Sequence, residues 1–488
     1  MKKFPLSFWI FYRAIPSWLN EKIRIHKILK KKLKYKKDVL FIPHHLSHAA
    51  SCFLVSPFKE SAILTVDGVG EWTTTELFYG KENRIIPLKK IDFPDSLGLL
   101  YSTFTAFLGF QVNNDEYKVM GLAGYGKPIY TDKFRKLIYI KEDGSFKLNM
   151  DYFAYEYRNR MFSRKLIKEF GKPRKSHEKI EQRHKNIAAS LQKILEEVLV
   201  KIVNHLYETV NKDRKEKIEN LCMAGGVALN CVANTKIVKK TKFKNFFVQP
   251  AAGDSGGAVG VAFYIYNSIL KNKKAFVMKN AYLGPDYSNE EILNFLKDKK
   301  DDKIKYRYYK KDELLKKTAE LIAKDKIIGW FQGRMEFGPR ALGNRSILAN
   351  PCNPKMQDIL NKKVKHREDF RPFAPAVLEE YADEYFKIYK RDTFMLFIAD
   401  VKKEKQKLLP GITHVDGTAR IQIIKRKDNE LFYDLIKEFS KIKKVPIIIN
   451  TSFNVKGEPI VCSFEDAYNC FKKTGIDYLV LGNYLIGK

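Results

Sequence analysis

The sequence predicts an α/β fold, because strands, glycine-rich turns and helices alternate along much of the chain. In residues 181–212, apolar side chains recur at the spacing of one helix face, which predicts a long amphipathic helix. Strands predicted over 220–224 and 245–249 follow, and each leads through a glycine-rich turn into another helix. The second half opens with a helix predicted over 312–324 and a strand over 327–331, so we expect α/β architecture there too.

Length and composition indicate a globular protein with more than one domain. At 488 residues the chain is too long for one ordinary core, and a hydrophobic content of 45% is that of a globular protein. We expect a basic, aromatic segment over 1–38, a first domain over 39–270, a linker over 271–280 and a second domain over 281–488. No apolar run approaches the roughly 18 residues of a membrane helix, so we expect a cytoplasmic protein without a membrane partner.

Charge and cysteine usage bound the class of partner. The formal net charge of +34 would suit nucleic acid or small anions. The lysines are spread along the whole chain without an arginine-rich block, which makes anionic substrates the better expectation and nucleic acid the weaker one. The six cysteines include no Cys-x-x-Cys pair, so the sequence predicts neither a zinc ribbon nor a disulfide framework.

The most informative motif is the pentad at 44–48, in which His44 and His48 stand four residues apart. Residues 39–43 before it are predicted to form a short buried strand, and residues 49–54 after it a helix. The two histidines would then lie at the start of a helix and on one face, where their ring nitrogens can meet at one point.

Asp67 follows the strand predicted over 61–66 and places a carboxylate at its C-terminal end. A carboxylate beside a helical histidine pair is typical of a metal site. The alternative is that the histidines are solvated, or packed in the core, near a strand-end aspartate.

Two glycine-rich turns, at 224–230 and 251–258, each follow a strand and open a helix. Glycines let the backbone approach a ligand closely, and a helix N-terminus offers free N–H donors to phosphate. One such turn is weak support, because tight turns need glycine anyway, but two in one α/β unit suggest a nucleotide cleft. Asp254 would add an oxygen ligand to the metal, and the mixed set suits iron, manganese or zinc better than magnesium or calcium. The candidate nucleotide-binding residues are Gly225, Gly226, Asn230, Gly253 and Asp254.

Basic side chains of the second half cluster in turns, at 333–346, 365–375 and 416–420, and a polar turn follows at 450–454. Arginine forks match phosphate and carboxylate oxygens in pairs. Ordinary surface arginine is the alternative, but the charge elsewhere in this chain is mostly lysine. The turns therefore predict a site for phosphate or an acyl phosphate.

Together these segments resemble the O-carbamoyltransferases of the NodU/CmcH/TobZ family. The matching stretches are 44–51, 66–73, 115–128, 224–234, 249–260, 329–351, 361–377, 415–420 and 450–463. The resemblance implies an N-terminal actin-like domain of the sugar kinase/Hsp70-type ATPase fold over 39–270. It implies a C-terminal YrdC/Sua-like α/β domain over 281–488.

The resemblance also implies a two-step reaction. Carbamoyl phosphate and ATP would form carbamoyl-adenylate in the second domain, and the first would pass the carbamoyl group to a hydroxyl of a small molecule or sugar, releasing AMP. His44, His48 and Asp67 would be catalytic. The same three and Asp254 would hold Fe²⁺ or another divalent transition metal, and Mg²⁺ would accompany ATP. The carbamoyl phosphate and ATP site would comprise Arg334, Lys365, Arg371, Arg420, Asn450 and Ser452.

The chain departs from the family pattern near its start. Members carry a strand-turn-strand with a His-Asp turn well before the histidine pair, whereas 43 residues precede His44 here and lack that turn. The first hairpin of the actin-like fold is therefore expected to be missing. We expect this to weaken transfer more than adenylation, and we expect the second half alone to form the adenylate.

Two alternatives stay open at this point. One is threonylcarbamoyl chemistry on tRNA, which the positive charge would suit. The other is a nucleotide-binding or nucleic-acid-binding relative without catalysis. The acceptor, the identity of the metal and the oligomeric state are not encoded in any motif of the sequence.

Overall fold

The computed structural model describes residues 8–299 and 305–488 and has a mixed α/β fold, as predicted. Residues 1–7 of the predicted basic segment, and residues 300–304 of the predicted second domain, lie outside the described residues. No helix in the described ranges is both long enough and apolar enough to span a membrane.

The described part of the chain before residue 271 contains ten α-helices and seven strands. The helices are α1 (Phe8–Ser17), α2 (Ile25–Lys32), α3 (His44–Phe53), α4 (Leu97–Phe107), α5 (Glu116–Ala123), α6 (Thr131–Arg135), α7 (Arg164–Phe170), α8 (Gln182–Asn211), α9 (Cys231–Lys240) and α10 (Gly257–Phe263). The strands are β1 (Glu60–Gly70), β2 (Thr73–Lys81), β3 (Arg84–Asp92), β4 (Ile138–Ile140), β5 (Phe146–Leu148), β6 (Asn220–Ala224) and β7 (Asn245–Val248).

Within these residues, five strands form one sheet in the order β3-β2-β1-β6-β7. Strands β1 to β3 pair antiparallel, whereas β6 runs parallel to β1, and β7 runs parallel to β6. Alternate residues of β1 face opposite sides of the sheet. Leu64 and Val66 pack in a core with α4 and α8, and Ile63 packs against α3 on the other face. The alternation also directs Asp67 toward the α3 face.

The predicted elements around the motifs are confirmed, with one exception. Helix α8 covers the predicted helix over 181–212, and β6 and β7 match the two predicted strands. Residues 39–43 form no strand, and the prediction of a buried strand there is wrong. Leu40 and Phe41 are 53% and 61% exposed, because no strand among the described residues pairs with this segment. Apolar composition produces a buried strand only where a neighbour supplies backbone partners.

From residue 271, the described chain contains seven α-helices and eleven strands. The helices are α11 (Asn289–Asp298), α12 (Lys311–Ala323), α13 (Met356–Leu360), α14 (Ala382–Tyr385), α15 (Lys403–Gln406), α16 (Glu430–Lys443) and α17 (Phe464–Lys473). The strands are β8 (Lys305–Tyr308), β9 (Ile328–Phe331), β10 (Arg345–Ala349), β11 (Ala374–Leu378), β12 (Phe386–Lys387), β13 (Ala399–Val401), β14 (Thr418–Ala419), β15 (Gln422–Ile424), β16 (Ile447–Ser452), β17 (Tyr478–Leu481) and β18 (Tyr484–Gly487). The predicted helix over 312–324 and strand over 327–331 are confirmed as α12 and β9.

Eight of these strands form a mixed sheet in the order β15-β11-β16-β10-β9-β17-β18-β8, counted over the described residues. Residues 271–280, the predicted linker, have no regular structure but lie against the end of α3. The ammonium of Lys274 donates to the main-chain oxygens of Phe53 (2.8 Å) and Phe58 (2.6 Å). The domain boundaries stay a prediction.

The two halves share one core. The apolar core beneath the first sheet includes Phe394–Phe397, which lie between β12 and β13 of the second half. The rings of Phe246 and Phe397 have centroids 5.3 Å apart. Thr235 Oγ1 accepts from the N–H of Ile398 at 2.8 Å, and donates to its carbonyl oxygen at 3.3 Å. Each half therefore depends on the other for buried contacts.

Candidate functional site

Four predicted metal ligands meet at the C-terminal end of the first sheet. His44 and His48 occupy the start of α3, and their Nε2 atoms lie 2.9 Å apart. The Oδ2 atom of Asp67 lies 3.0 Å from the first and 2.9 Å from the second. Oδ1 of Asp254 lies 3.5 Å from both nitrogens. The structure thus brings together side chains from positions 44 to 254 of the chain.

Local backbone geometry directs the two oxygens of Asp67 to different partners. The pairing of β1 with β2 is irregular between Val66 and Gly70, so Asp67 lies in a bulge. Its Oδ1 accepts from the N–H of Gly68 at 2.8 Å and from that of Gly226 at 3.2 Å. Oδ2 is left for the histidines. A side chain at Gly70 would collide with the His44 ring, with an added Cβ only 2.2 Å from its Cδ2.

The two glycine-rich turns are adjacent and face the end of β1. Gly225 has a φ of +94°, and a Cβ there would lie 2.2 Å from the carbonyl oxygen of Val66, so only glycine fits. Its N–H donates to the carbonyl of Ala252 at 2.8 Å and joins the first turn to the second. A Cβ on Gly253 would lie 3.9 Å from the Cα of Gly226. Gly225, Gly226, Gly253 and Asp254 therefore lie in two adjacent turns at the end of β1, and their role in a nucleotide cleft stays a prediction.

Asn230 has a different set of contacts. Its side chain accepts from the N–H of Ala233 at 3.0 Å and caps the N-terminus of α9. It also exchanges hydrogen bonds of 3.0 and 3.1 Å with Gln192 of α8. In this arrangement Asn230 fixes the helix that follows the glycine turn, and its side-chain atoms are already engaged.

Opposite charges balance at the cluster. Burial alone would raise the pKa of Asp67, but hydrogen bonds to His44 and His48 and the charge of His48 hold it well below its usual range. Burial likewise opposes the charged form of His48, yet hydrogen bonds to Asp254 and Asp67 raise its pKa to about 9. The carboxylates thus stabilise positive charge at this point.

His45, between the two candidate ligands, makes contacts that its sequence context did not predict. It is 2% exposed, and its Nδ1 and Nε2 lie 2.7 Å from Thr65 Oγ1 and 2.9 Å from the carbonyl oxygen of Thr73. Burial and the positive charge of His48 lower its pKa to about 4. A neutral ring with one N–H satisfies both contacts and ties α3 to β1 and β2. Its position beside two candidate ligands was the one sequence signal.

The donor set fits a divalent transition metal. The four ligand atoms all lie within 4.8 Å of one another. Two ligands about 2.1 Å from one ion lie about 3.0 Å apart when they subtend a right angle. The separations that involve a histidine nitrogen, from 2.9 to 3.5 Å, match that requirement. Two imidazoles and two carboxylates are also a set that first-row transition metals accept.

A second cluster, in the second half, carries an excess of positive charge. Lys365 is 3% exposed, and its ammonium donates to the main-chain oxygen of Ser452 and, at 2.9 Å, to Oδ1 of Asn454. Burial, followed by the charge of Arg367, keeps the pKa of Lys365 well below its usual range. The structure thus places Lys365 and Ser452, two members of the predicted anion site, in contact. No carboxylate among the described residues forms an ion pair with this ammonium.

Two arginines that the predicted residue set omitted belong to the same cluster. Burial and the charge of Arg420 lower the pKa of Arg340 to about 9, and burial and the charge of Arg371 lower that of Arg367 to about 9. In the described part of the chain, the Nε atoms of Arg340 and Arg420 are buried without a hydrogen-bond partner. Such unpaired donors among like charges fit an anionic ligand. The sequence signals were the basic turns at 333–346, which contains Arg340, and at 365–375, which contains Arg367.

The remaining predicted residues differ in their contacts. Asn450 is 1% exposed and donates to Gln422 Oε1 at 2.7 Å, while its own Oδ1 is buried without a partner among the described residues. Arg334 is exposed and donates to the main-chain oxygens of Leu283 (2.9 Å) and Gly284 (3.0 Å). Neither of these bonds joins Arg334 to another member of the predicted set.

The sequence matches two family models and several curated relatives. Residues 7–263 match a model described as Carbamoyltransferase N-terminus, and residues 319–488 match one described as Carbamoyltransferase C-terminus. An uncharacterized protein of Synechocystis is 46% identical over 512 residues, which cover 98% of this chain and 82% of the relative. The nodulation protein NolNO of Sinorhizobium fredii is 39% identical over 488 residues, with 98% and 68% covered. The 3'-hydroxymethylcephem-O-carbamoyltransferase of Amycolatopsis lactamdurans is 31% identical over 287 residues, with 58% and 52% covered.

Proposed function

The chain belongs to the carbamoyltransferase family of enzymes, and on this premise we propose that it is an O-carbamoyltransferase using carbamoyl phosphate and ATP. The observation that carries the proposal is the pairing of a four-donor cluster in the first half with Arg340 and Arg420 in the second, whose buried Nε atoms have no hydrogen-bond partner among the described residues. The acceptor would be a hydroxyl of a small molecule or sugar. A relative whose name states O-carbamoylation of a hydroxymethylcephem supports a hydroxyl acceptor.

The second half is proposed to form carbamoyl-adenylate. Carbamoyl phosphate and one water give carbamate and phosphate, and the carbamate oxygen then attacks the α-phosphorus of ATP and releases pyrophosphate. Both substrates are anions, so fixed cations must offset their repulsion. Lys365, Arg371 and Arg420 supply such charges, Arg340 adds a fourth, and Mg²⁺ would accompany ATP.

The first half is proposed to transfer the carbamoyl group. The acceptor oxygen attacks the carbonyl carbon, the bond to the adenylate oxygen breaks, and AMP leaves. Held by His44, His48, Asp67 and Asp254, a divalent transition metal such as Fe²⁺ would polarise the carbonyl. Asp67 is a weak base, because its pKa is held well below the usual range. The side chain of Asp254 is 79% exposed, against 15% for Asp67, so Asp254 is the better placed carboxylate to accept the hydroxyl proton.

We also propose that the first half has an actin-like fold and the second a YrdC-like fold. An antiparallel meander followed by two parallel strands, in the order β3-β2-β1-β6-β7, supports the first assignment. The second rests on the family resemblance of the arginine-bearing turns.

The test is pyrophosphate release from ATP by the full-length protein. We expect release that depends on carbamoyl phosphate and is absent with bicarbonate plus threonine. Dependence on bicarbonate and threonine would favour threonylcarbamoyl chemistry instead. No release with either donor, in folded protein loaded with iron and Mg²⁺, would overturn the proposal.

A further inference from the structure

Helix α5 of the first half lies against the loop that carries Arg371 in the second. The guanidinium carbon of Arg371 is 4.7 Å from the ring centroid of Tyr117. The next residue, Lys118, places its ammonium 2.9 Å from Asp115 Oδ2 and 3.6 Å from Glu368 Oε1. Oε2 of Glu368 lies 3.8 Å from Nη1 of Arg371. Two consecutive residues of α5 therefore reach this guanidinium, one directly and one through a carboxylate.

The contact continues beyond these side chains. A Cβ on Gly121 would lie 4.0 Å from Cδ of Pro372, and one on Gly124 would lie 3.8 Å from Oδ2 of Asp416. The rings of Tyr125 and Phe370 have centroids 6.2 Å apart. Helix α5 and the turn after it thus lie beside both loops that bear the predicted substrate cations.

Lys118 competes with Arg371 for the negative charge of Glu368. Among the described residues, Glu368 is the carboxylate that comes within ion-pair distance of the cationic cluster, through Arg371 alone. At 3.8 Å from Nη1, that oxygen is beyond hydrogen-bond range of Arg371. Lys118, 7% exposed, shares the charge of Glu368 with Arg371. A lysine that engages Glu368 leaves Arg371 free for an anion, whereas Glu368 without it would pair fully with the arginine.

From these contacts we infer that α5 forms one wall of the anion site in the second half, with Tyr117 and Lys118 as positioning residues for Arg371. The inference deepens the proposed function and rests on it. It replaces the expectation that the second half alone suffices for adenylation, because first-half side chains would set the affinity for carbamoyl phosphate.

The test measures the KM for carbamoyl phosphate and kcat of pyrophosphate release in the full-length protein. Lys118→Met should raise this KM about tenfold, as Glu368 closes onto Arg371. Adding Glu368→Gln should restore it to within about threefold of wild type, because the competing charge is gone. Lys136→Met is the matched control, since Lys136 forms an ion pair of the first half with Glu169 at 3.0 Å. An unchanged KM in Lys118→Met, or no rescue in the double variant, would overturn the inference.

Tyr117 provides a second variant that does not disturb a buried ion pair, since it is 38% exposed. Tyr117→Phe keeps the ring and should match wild type, whereas Tyr117→Leu should raise the same KM about fivefold. Tyr266→Leu, at a tyrosine 54% exposed in the first half, is the control. Equal KM values for Tyr117→Leu and Tyr117→Phe would contradict a role for the ring.

Thermal shift with inorganic phosphate separates this inference from the proposed function. Phosphate should raise the Tm of wild type and should raise that of Lys118→Met less. If wild type releases no pyrophosphate but this difference holds, the proposed function fails and the anion-site wall stands. If phosphate stabilises both proteins equally, the inference that α5 forms a wall of the anion site is refuted, whatever the enzyme assay shows.

Discussion

The candidate metal centre and the cationic cluster are built in opposite ways. Three ligands of the metal centre come from a helix and a strand, and acids face bases there. The cations of the second cluster come largely from loops, and like charges face one another. The first site is balanced and shaped before a ligand arrives, whereas the second is electrostatically unfavourable until an anion binds. Removing a group should therefore have opposite effects on the stability of the two sites.

The largest expected effect is at the metal centre. His44→Ala combined with His48→Ala removes both ring nitrogens, so we expect bound transition metal to fall from about one per chain to none. Carbamoyl transfer should fall by at least about 100-fold, while carbamoyl phosphate-dependent pyrophosphate release stays within about twofold. Elemental analysis and the two assays measure these effects. His205→Ala, at a half-buried histidine of α8, is the control, and equal metal in wild type and the double variant would disprove the site.

The cationic cluster should show the reverse pattern. Arg420→Met removes one of several half-buried guanidiniums, so pyrophosphate release should fall about 100-fold while metal content is unchanged. Because the variant also relieves repulsion from Arg371, its ligand-free Tm should rise by about 1–3 °C. Arg426→Met is the control. It alters an exposed arginine paired with Glu430 at 2.8 Å and should change neither the rate of pyrophosphate release nor the ligand-free Tm. A normal rate of pyrophosphate release in folded Arg420→Met would remove this arginine from the site.

The smallest expected effect concerns the support behind the metal ligands. The pKa of His45 is about 4 in the folded protein and 6.5 in the reference state, so acid favours the unfolded chain. Its contribution is present above pH 6.5 and is lost as the pH falls toward 4. Wild type should lose about 1 kcal/mol of unfolding free energy more than His45→Gln between pH 7.5 and 5.5. Parallel pH dependence in urea unfolding of the two proteins would contradict this role.

Local sequence patterns were sufficient to predict the structure where the residues concerned form one helix or strand. The apolar spacing in 181–212 requires a helix that buries one face, and α8 is that helix. The four metal-ligand candidates were also identifiable, because a helical histidine pair, a strand-end aspartate and an aspartate in a glycine-rich turn each lie at a predictable position of an α/β unit. The fold brings their ligand atoms within 4.8 Å of one another, because β1, β6 and β7 are neighbours in the first sheet.

What could not be predicted depends on distant partners. Whether residues 39–43 pair as a strand depends on a neighbour that the segment itself does not encode. Arg334, Arg340 and Arg345 lie in one turn, yet only the fold decides which of them faces the other loops. The contact of Tyr117 with Arg371 joins residues of different halves, and no local periodicity expresses it.

The shared core has a consequence for synthesis on the ribosome. The first sheet is complete at Val248, but its apolar core also needs Phe394–Phe397. At about 5–20 residues per second, the roughly 150 intervening residues take about 7–30 s to appear. During that interval Phe246 in the nascent first half remains exposed to solvent. The speed of translation through this stretch should therefore affect the fraction of chains that reach the native state.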